Sequence, residues 1–379
     1  MAGIYIHIPF CKQACTYCNF HFSTLLNTQQ QVLDAIKKEI LLQRHFFPDK
    51  TVIETIYFGG GTPSLLPTSE INGILDAIHS IWEVSSDAEI TLEANPDDLT
   101  KQYLSDLKQH TPVNRFSIGI QSFFDEDLRY MNRAHTANEA KNAIAETQDA
   151  GFENLSVDLI YGTPTMNDAR WEENLKMVFD LKIPHISCYA LTVEDKTALA
   201  HQIKKEKVLP PGDEQTARQF SLLLDVMARQ HYTHYEISNF CIEPYFAQHN
   251  TNYWKGVHYL GLGPSAHSFD GTKRYWNVSN NAVYVRKIND NRLAYESEIL
   301  TPANLYNEYI LTQIRTMWGL DATIIQARFG ALQQQHFLQE VSPFLTNRWI
   351  QETNGIYTLT DTGKLFCDYI TARLFTPDI

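Results

Sequence analysis

The sequence predicts an α/β protein: a partial (β/α)6 barrel over residues 1–240, then a connecting segment over 241–289 and a small C-terminal α+β domain over 290–379. Two observations carry this. From residue 3 to about 237, short apolar runs alternate with helical amphipathic stretches, the pattern of βα units around a parallel sheet. The residues equipped for chemistry fall just after or within the apolar runs, and parallel barrels gather their active sites at the C-terminal ends of strands. At 379 residues the chain is long enough for two or three domains.

The elements follow in order. Ile4–Ile8 reads as a strand. Gln30–Arg44 carries Leu33, Ile36 and Ile40 at helical spacing. Val52–Phe58 is a strand. Ile71, Ile74, Leu75, Ile78 and Trp82 mark a second helix, with Thr68 or Ser69 as its cap. Glu89–Glu93 is a strand, Lys101–Gln109 a helix and Asn114–Ile120 a strand. Asn138–Ala150 is a helix stopped by Gly151. Leu155–Ile160, His185–Ala190 and Tyr232–Ile237 are further strands, separated by helices near Trp171–Leu181 and Glu214–Arg229.

The first strand leads into Cys11, Cys15 and Cys18, three thiols at C-x3-C-x2-C spacing. An iron–sulfur cube has four irons, and an electron carrier commonly gives each a thiolate. Three ligands leave one iron open, which suits substrate binding. A Cys3His zinc site completed by His7 or His21 is the alternative the residues leave open. The other cysteines, Cys188, Cys241 and Cys367, are scattered and read as small buried hydrophobes. A reducing cytoplasm suits all six.

Composition narrows the classes. The net charge is −13 with no long basic run, which argues against a nucleic-acid or anionic-membrane partner. No apolar stretch approaches the ~20 residues of a membrane span, and the N-terminus carries no signal-peptide pattern.

The run Tyr5-x-His7-x-Pro9-Phe10-Cys11-x3-Cys15-x-Tyr17-Cys18 resembles the radical S-adenosylmethionine (SAM) superfamily. More narrowly, it is similar to the branch that holds the oxygen-independent coproporphyrinogen III oxidases and the HemW haem chaperones. The resemblance implies a 4Fe-4S cluster on Cys11, Cys15 and Cys18, with the amino and carboxylate groups of SAM on the open iron and cleavage of SAM to a radical. It also implies roles for residues that have blander readings alone. Gly60, Gly61 and Thr62 follow the second strand and would receive the methionine end of SAM, although a glycine run can be a plain βα turn. Glu93 and Asp158 are carboxylates in apolar strands, costly unless paired. A structural salt bridge or contacts to SAM would both answer that cost. Arg133 would clamp the SAM carboxylate. Gln121, Tyr5, Tyr17 and Ala190 carry over as SAM contacts in the same way.

Between about 241 and 285 the regular pattern breaks into a stretch rich in aromatic residues, histidine and glycine. His249-Asn250-Thr251-Asn252-Tyr253-Trp254 resembles the haem-binding motif of the HemW group. It implies His249 as an axial ligand on a loop, with Tyr253 and Trp254 covering the porphyrin. A polar surface histidine is the alternative from the residues alone. Gly261-Leu262-Gly263-Pro264-Ser265-Ala266-His267 follows.

In the last domain, Leu305–Met317, Ala322–Phe329 and Leu365–Leu374 read as helices and Tyr357–Thr360 as a strand after the turn at Asn354-Gly355. This resembles the winged-helix-like C-terminal domain of the branch. Six Lys/Arg against ten Asp/Glu over 290–379 disfavour a phosphate partner.

The oxidase pattern has a further cysteine two places beyond the last cluster ligand, where this chain has Phe20, and more chain before the cysteine loop. Both departures favour a haem chaperone over the alternative, a coproporphyrinogen oxidase using a SAM radical. The implied partners are SAM, haem, an acceptor protein for haem and an electron donor.

Overall fold

In the computed structural model, which describes residues 1–376, six strands lie side by side in chain order and all parallel. They are β1 (Ala2–Ile8), β2 (Val52–Gly60), β3 (Glu83–Ala94), β4 (Arg115–Gln121), β5 (Asn154–Tyr161) and β6 (His185–Ala190). The intervening helices cover the sheet. Gln29–Leu42 buries Leu33, Ile36 and Ile40, and Thr68–His79 buries Ile71, Ile74, Leu75 and Ile78. Strands covered on both faces read as continuous apolar runs, as β1 does.

Local signals set most boundaries. Thr136 and Glu139 form a capping box at Ala137–Asp149, whose far end meets Gly151 at φ +82°. The expected cap of the second helix is different: the helix already begins at Thr68, behind Pro67, and no side chain caps it. β3 starts six residues earlier than the sequence suggests, at Glu83. A register shift between Ile53 and Thr55 lets the polar stretch Glu83–Asp87 stay in the strand.

The seventh apolar run does not extend the parallel set. β7 (Thr233–Glu236) and β8 (Asn239–Cys241) form a hairpin, and β8 pairs antiparallel with β6. Two residues between them are far too few for a parallel crossover.

Residues 241–289 differ most from expectation. They are not a loop outside the repeat. The helix Gln248–Trp254 leads into β9 (Tyr259–Leu262), which pairs parallel with the free edge of β1. β10 (His267–Phe269), β11 (Lys273–Asn277) and β12 (Tyr295–Ile299) add antiparallel to it, completing a twelve-stranded sheet. Glu39, buried on the first helix, ties this extension down. Its carboxylate accepts hydrogen bonds from Gly263 N (2.8 Å), Asn277 Nδ2 (2.8 Å) and Tyr284 OH (2.6 Å). Burial pushes its carboxyl up to about 7 against those three donors.

The C-terminal part has its own core around Tyr306, Ile310, Phe337 and Ile370. Helices Pro302–Gln313, Ala322–Phe329, Ala331–Thr346 and Cys367–Leu374 surround a sheet in the order β13 (Leu320–Asp321), β15 (Ile356–Leu359), β14 (Ile350–Thr353). The helix Ala331–Thr346 was not anticipated from the sequence, although Phe337, Val341 and Phe344 have helical spacing. Gln313 Nε2 donates to Trp254 O (2.5 Å) and Arg274 pairs with Glu308 (2.7 Å), so this part faces the β9–β12 extension. No helix among the described residues is long and apolar enough to cross a membrane.

Candidate functional site

The cysteine loop is pinned at both ends. Cys11 N donates to Ser23 O and Thr16 N donates to Met131 O, each at 3.1 Å. None of the cysteines is in a disulfide. Cys11, Cys15 and Cys18 line one cavity of about 410 Å³ at the C-terminal edge of the parallel strands. Burial pushes the Cys11 thiol up to about 11 and the Cys18 thiol upward, so the pocket alone favours thiols over thiolates. A bound metal centre reverses that preference, because its positive charge deprotonates a coordinating thiol. Among the described residues no three His, Cys, Asp or Glu stand close enough to hold a single metal ion. The histidines of the zinc alternative do not line the cysteine cavity: His7 is engaged by Tyr5 OH (3.2 Å) and by the His21 carbonyl (2.9 Å), and His21 Nε2 is bound to Asn281 Oδ1 (2.8 Å).

Tyr17, Gly60, Gly61, Thr62, Glu93, Gln121, Arg133, Asp158 and Ala190 line the same cavity. The fold brings them together because most stand at or just beyond the C-terminal end of a parallel strand, or on a loop folded over it, while Asp158 lies within β5. The glycines have a tighter reason than ligand access. A Cβ on Gly61 would lie 2.6 Å from Phe10 O, and one on Gly60 would lie 2.6 Å from the His7 ring. Gly61 N and Thr62 N donate to Ile8 O (2.9 Å) and Phe10 O (2.7 Å), so this turn holds the start of the cysteine loop.

Glu93 accepts from Tyr57 OH (2.7 Å) and Gly60 N (3.1 Å). Burial, followed by the charge of Asp158, outweighs those bonds and pushes its carboxyl up to about 7. Asp158 accepts from Ser117 Oγ (3.2 Å) and burial raises its carboxyl too. Neither carboxylate is in an ion pair among the described residues, so the salt-bridge reading of these strands is not met. Arg133 donates to Asn95 Oδ1 (2.6 Å), Gly119 O (2.7 Å) and Cys15 Sγ (3.3 Å), while its buried Nε has no partner. Gln121 holds φ +67° at the strand end, a conformation a non-glycine residue adopts only when its surroundings enforce it. Two carboxylates, an arginine and three thiols around one space form a donor set for a zwitterionic ligand beside a metal centre.

Tyr5 is the exception among the expected SAM contacts. Its ring lines a second, larger cleft of about 1110 Å³. That cleft lies between the β1–β9–β10 face and the C-terminal part, and Tyr253 and Trp254 line it too. His249 does not. It is 2 % exposed, on a helix rather than a loop. Its Nδ1 is bound to Thr55 Oγ1 (2.8 Å) and its Nε2 to Tyr253 OH (2.8 Å). Iron coordination by His249 would therefore break a buried hydrogen bond. The two cavities share Asn19, Phe20, Gly60 and Glu93 on their walls. Residues that sequence reasoning missed, among them His258, Arg274 and Trp318, lie on the larger cleft, and so does His21, which the sequence offered only as a zinc ligand. The topology of β9–β12 places His258 and Arg274 there, and the docking of the C-terminal part places Trp318.

Comparisons with known proteins agree with this geometry. Residues 5–178 match the Radical SAM superfamily and residues 300–366 match the HemN C-terminal domain. The chain is 31 % identical over 372 residues to the Bacillus subtilis heme chaperone HemW, covering 96 % of this chain and 97 % of that protein. It is 30 % identical to the Mycobacterium tuberculosis heme chaperone HemW, covering 98 % and 94 %. The Escherichia coli radical SAM enzyme coproporphyrinogen III oxidase (HemN) has the same fold, with a TM-score of 0.85 at 22 % identity over 99 % of this chain and 90 % of that one. The three thiols at one edge of a parallel sheet, the C-terminal domain beyond it and the near-full-length relatives place this chain in the HemW family of the radical SAM superfamily.

Proposed function

We propose that this protein is a haem chaperone. It carries a 4Fe-4S cluster on Cys11, Cys15 and Cys18, binds SAM in the same cavity, holds haem in the larger cleft and passes it to an acceptor protein. The observation that carries this reading is the pair of adjoining cavities with a common wall at Gly60, Glu93, Asn19 and Phe20. The smaller has three thiols, two carboxylates and an arginine, suited to a cluster and an amino-acid-like ligand. The larger is walled by Tyr5, Tyr253, Tyr259 and Trp254, flat rings suited to a macrocycle. Phe20, 67 % exposed, stands between them where the oxidase pattern has a cysteine. The cluster and SAM fit the residues present: Arg133 keeps a buried, unpartnered Nε in the pocket, and Asp158 and Glu93 offer acceptors to an ammonium or to ribose hydroxyls. When bound, the cluster supplies one electron and an open iron for SAM. Haem is cargo in this reading, and the protein needs an electron donor only if SAM is reduced.

The test is one anaerobically reconstituted sample assayed two ways. The reading expects about four irons and four sulfides per chain, saturable haem binding, and no coproporphyrinogen turnover with SAM and a reductant. Conversion of coproporphyrinogen III to protoporphyrinogen IX without haem binding would replace it with the oxidase reading.

A further inference from the structure

If haem is the cargo, as proposed above, and His249 its ligand, as the motif implies, the imidazole must be reached through the wall of the cleft. We propose that Tyr253 is a gate whose phenol caps His249 Nε2 until haem arrives, and that Thr55 is a positioning residue that keeps this nitrogen turned toward Tyr253. His249 lies directly behind Tyr253. Its Nε2 meets Tyr253 OH at 2.8 Å, and the two rings meet edge to face with centroids 4.9 Å apart. Tyr253 lines the larger cleft and His249 does not. The phenol therefore separates the nitrogen from the cleft.

The helix that carries both residues is pinned at its two ends. Gln248 N and His249 N each donate to the Glu89 carboxylate at 3.0 Å, and Glu89 is buried 3.9 Å from the Arg115 guanidinium inside the barrel. At the far end Trp254 O accepts from Gln313 Nε2. Tyr253 is held more lightly. It is half-buried, with the His249 bond and an edge contact to the Tyr259 ring, centroids 4.6 Å apart. Turning its ring toward the cleft breaks one hydrogen bond and leaves the helix in place. Thr55 holds the other side of the imidazole. It is fully buried on β2, and its Oγ1 lies 2.8 Å from His249 Nδ1. A phenol is a better donor than an aliphatic hydroxyl, so Tyr253 OH donates to Nε2 and His249 Nδ1–H donates to Thr55. The lone pair a metal needs is thus already at Nε2, and Nδ1 keeps its partner when the cap moves. Gly3 makes room for this pair: a Cβ there would lie 2.8 Å from Thr55 Oγ1 and 3.2 Å from the His249 ring. Tyr57 stacks on the face of the imidazole, centroids 5.1 Å apart, and limits its tilt.

The experiment titrates haem into the anaerobic, cluster-loaded full chain. Affinity and association rate are read from the Soret band, and the ligand field from electron paramagnetic resonance. Tyr253→Phe keeps the ring and removes the cap. An ordinary hydrogen bond corresponds to roughly 2- to 10-fold in affinity, so this variant should bind haem tighter by about that factor, and faster, with the ligation spectrum unchanged. Thr55→Val keeps the shape and removes the acceptor. Loss of an outer partner of a metal ligand commonly weakens binding roughly 10–100-fold, so Thr55→Val should lose affinity on that scale and shift the resonance signal, and Thr55→Ser should restore both. A merely structural role for Thr55 would lower the melting temperature and leave the resonance signal where it is. Equal or weaker haem binding in folded Tyr253→Phe overturns the gate, and an unmoved signal in folded Thr55→Val overturns the positioning role. Retention of the histidine signature in His249→Ala overturns both roles while the chaperone reading stands, because haem is still bound. Absence of haem binding in wild type overturns the chaperone reading with them.

Discussion

At the residue scale, the cavity around the cysteines separates ligands from contacts. Cys11, Cys15 and Cys18 are the candidates to hold the cluster, so Ala at any one of them should remove most iron and sulfide, measured by metal analysis of the anaerobic protein. Asp158 is proposed as a contact to SAM. Asp158→Ala removes an acceptor for a charged partner, a bond of roughly 1.5–3 kcal/mol, and should weaken SAM binding roughly 10–100-fold with iron content unchanged. Calorimetric titration of SAM into the reconstituted variant checks this, and an unaltered affinity would remove Asp158 from the site. Arg133 should behave differently from both, because it touches Cys15 Sγ as well as the pocket. The cysteines were legible from their spacing after an apolar run and Asp158 as a carboxylate inside one, whereas Arg133, in the loop after Asp125–Tyr130, was reached only through the resemblance. Tyr5 was not, because alternation along β1 decides which cavity its ring meets, and neither neighbour β2 nor β9 is identified by the motif itself.

At the element scale, repeated βα units announce themselves through apolar runs and helical periodicity, and β1 to β6 follow that pattern closely. The β9–β12 extension did not. Its strands are three to five residues long, rich in glycine and aromatic residues, and gain their sheet only by meeting the free edge of β1. Long-range contacts of that kind leave no local periodicity. The hold of Glu39 on this extension yields a pH prediction. Its carboxyl is raised from an ordinary 4.5 to about 7 in the folded chain. The folded state therefore binds the proton more tightly, and the stabilisation is whole below about pH 4.5 and lost as pH rises through about 7. Glu39→Gln carries no such proton, so its melting temperature should vary less with pH over roughly 5 to 8 than that of wild type. Parallel curves for the two proteins would show that Glu39 does not titrate there. Gly261→Ala probes the same element sterically. Overpacking commonly costs about 1–3 kcal/mol, and here the added Cβ would collide with His267 O, so the melting temperature should fall.

At the scale of the whole molecule, the cleft exists because two cores meet across it. The first wall is the β1–β9–β10 face, and the second is built from Tyr309, Trp318 and Arg328 of the C-terminal part. The sequence indicated both parts and even the acidic balance that argues against DNA, but not the space between them, since cavities depend on docking. Trp318→Ala should therefore weaken haem binding by several-fold, the loss of one aromatic contact of about 0.5–1.5 kcal/mol or more, while leaving the cluster untouched. The account rests on haem lying in this cleft beside the cluster cavity. The most direct measurement is a crystal structure of the anaerobic holoprotein with haem, its irons located by anomalous scattering. The account predicts the cluster irons beside Cys11, Cys15 and Cys18 and one further iron in the cleft between the β1–β9–β10 face and the C-terminal part. A haem iron on the outer surface of the barrel, away from this cleft, would contradict it.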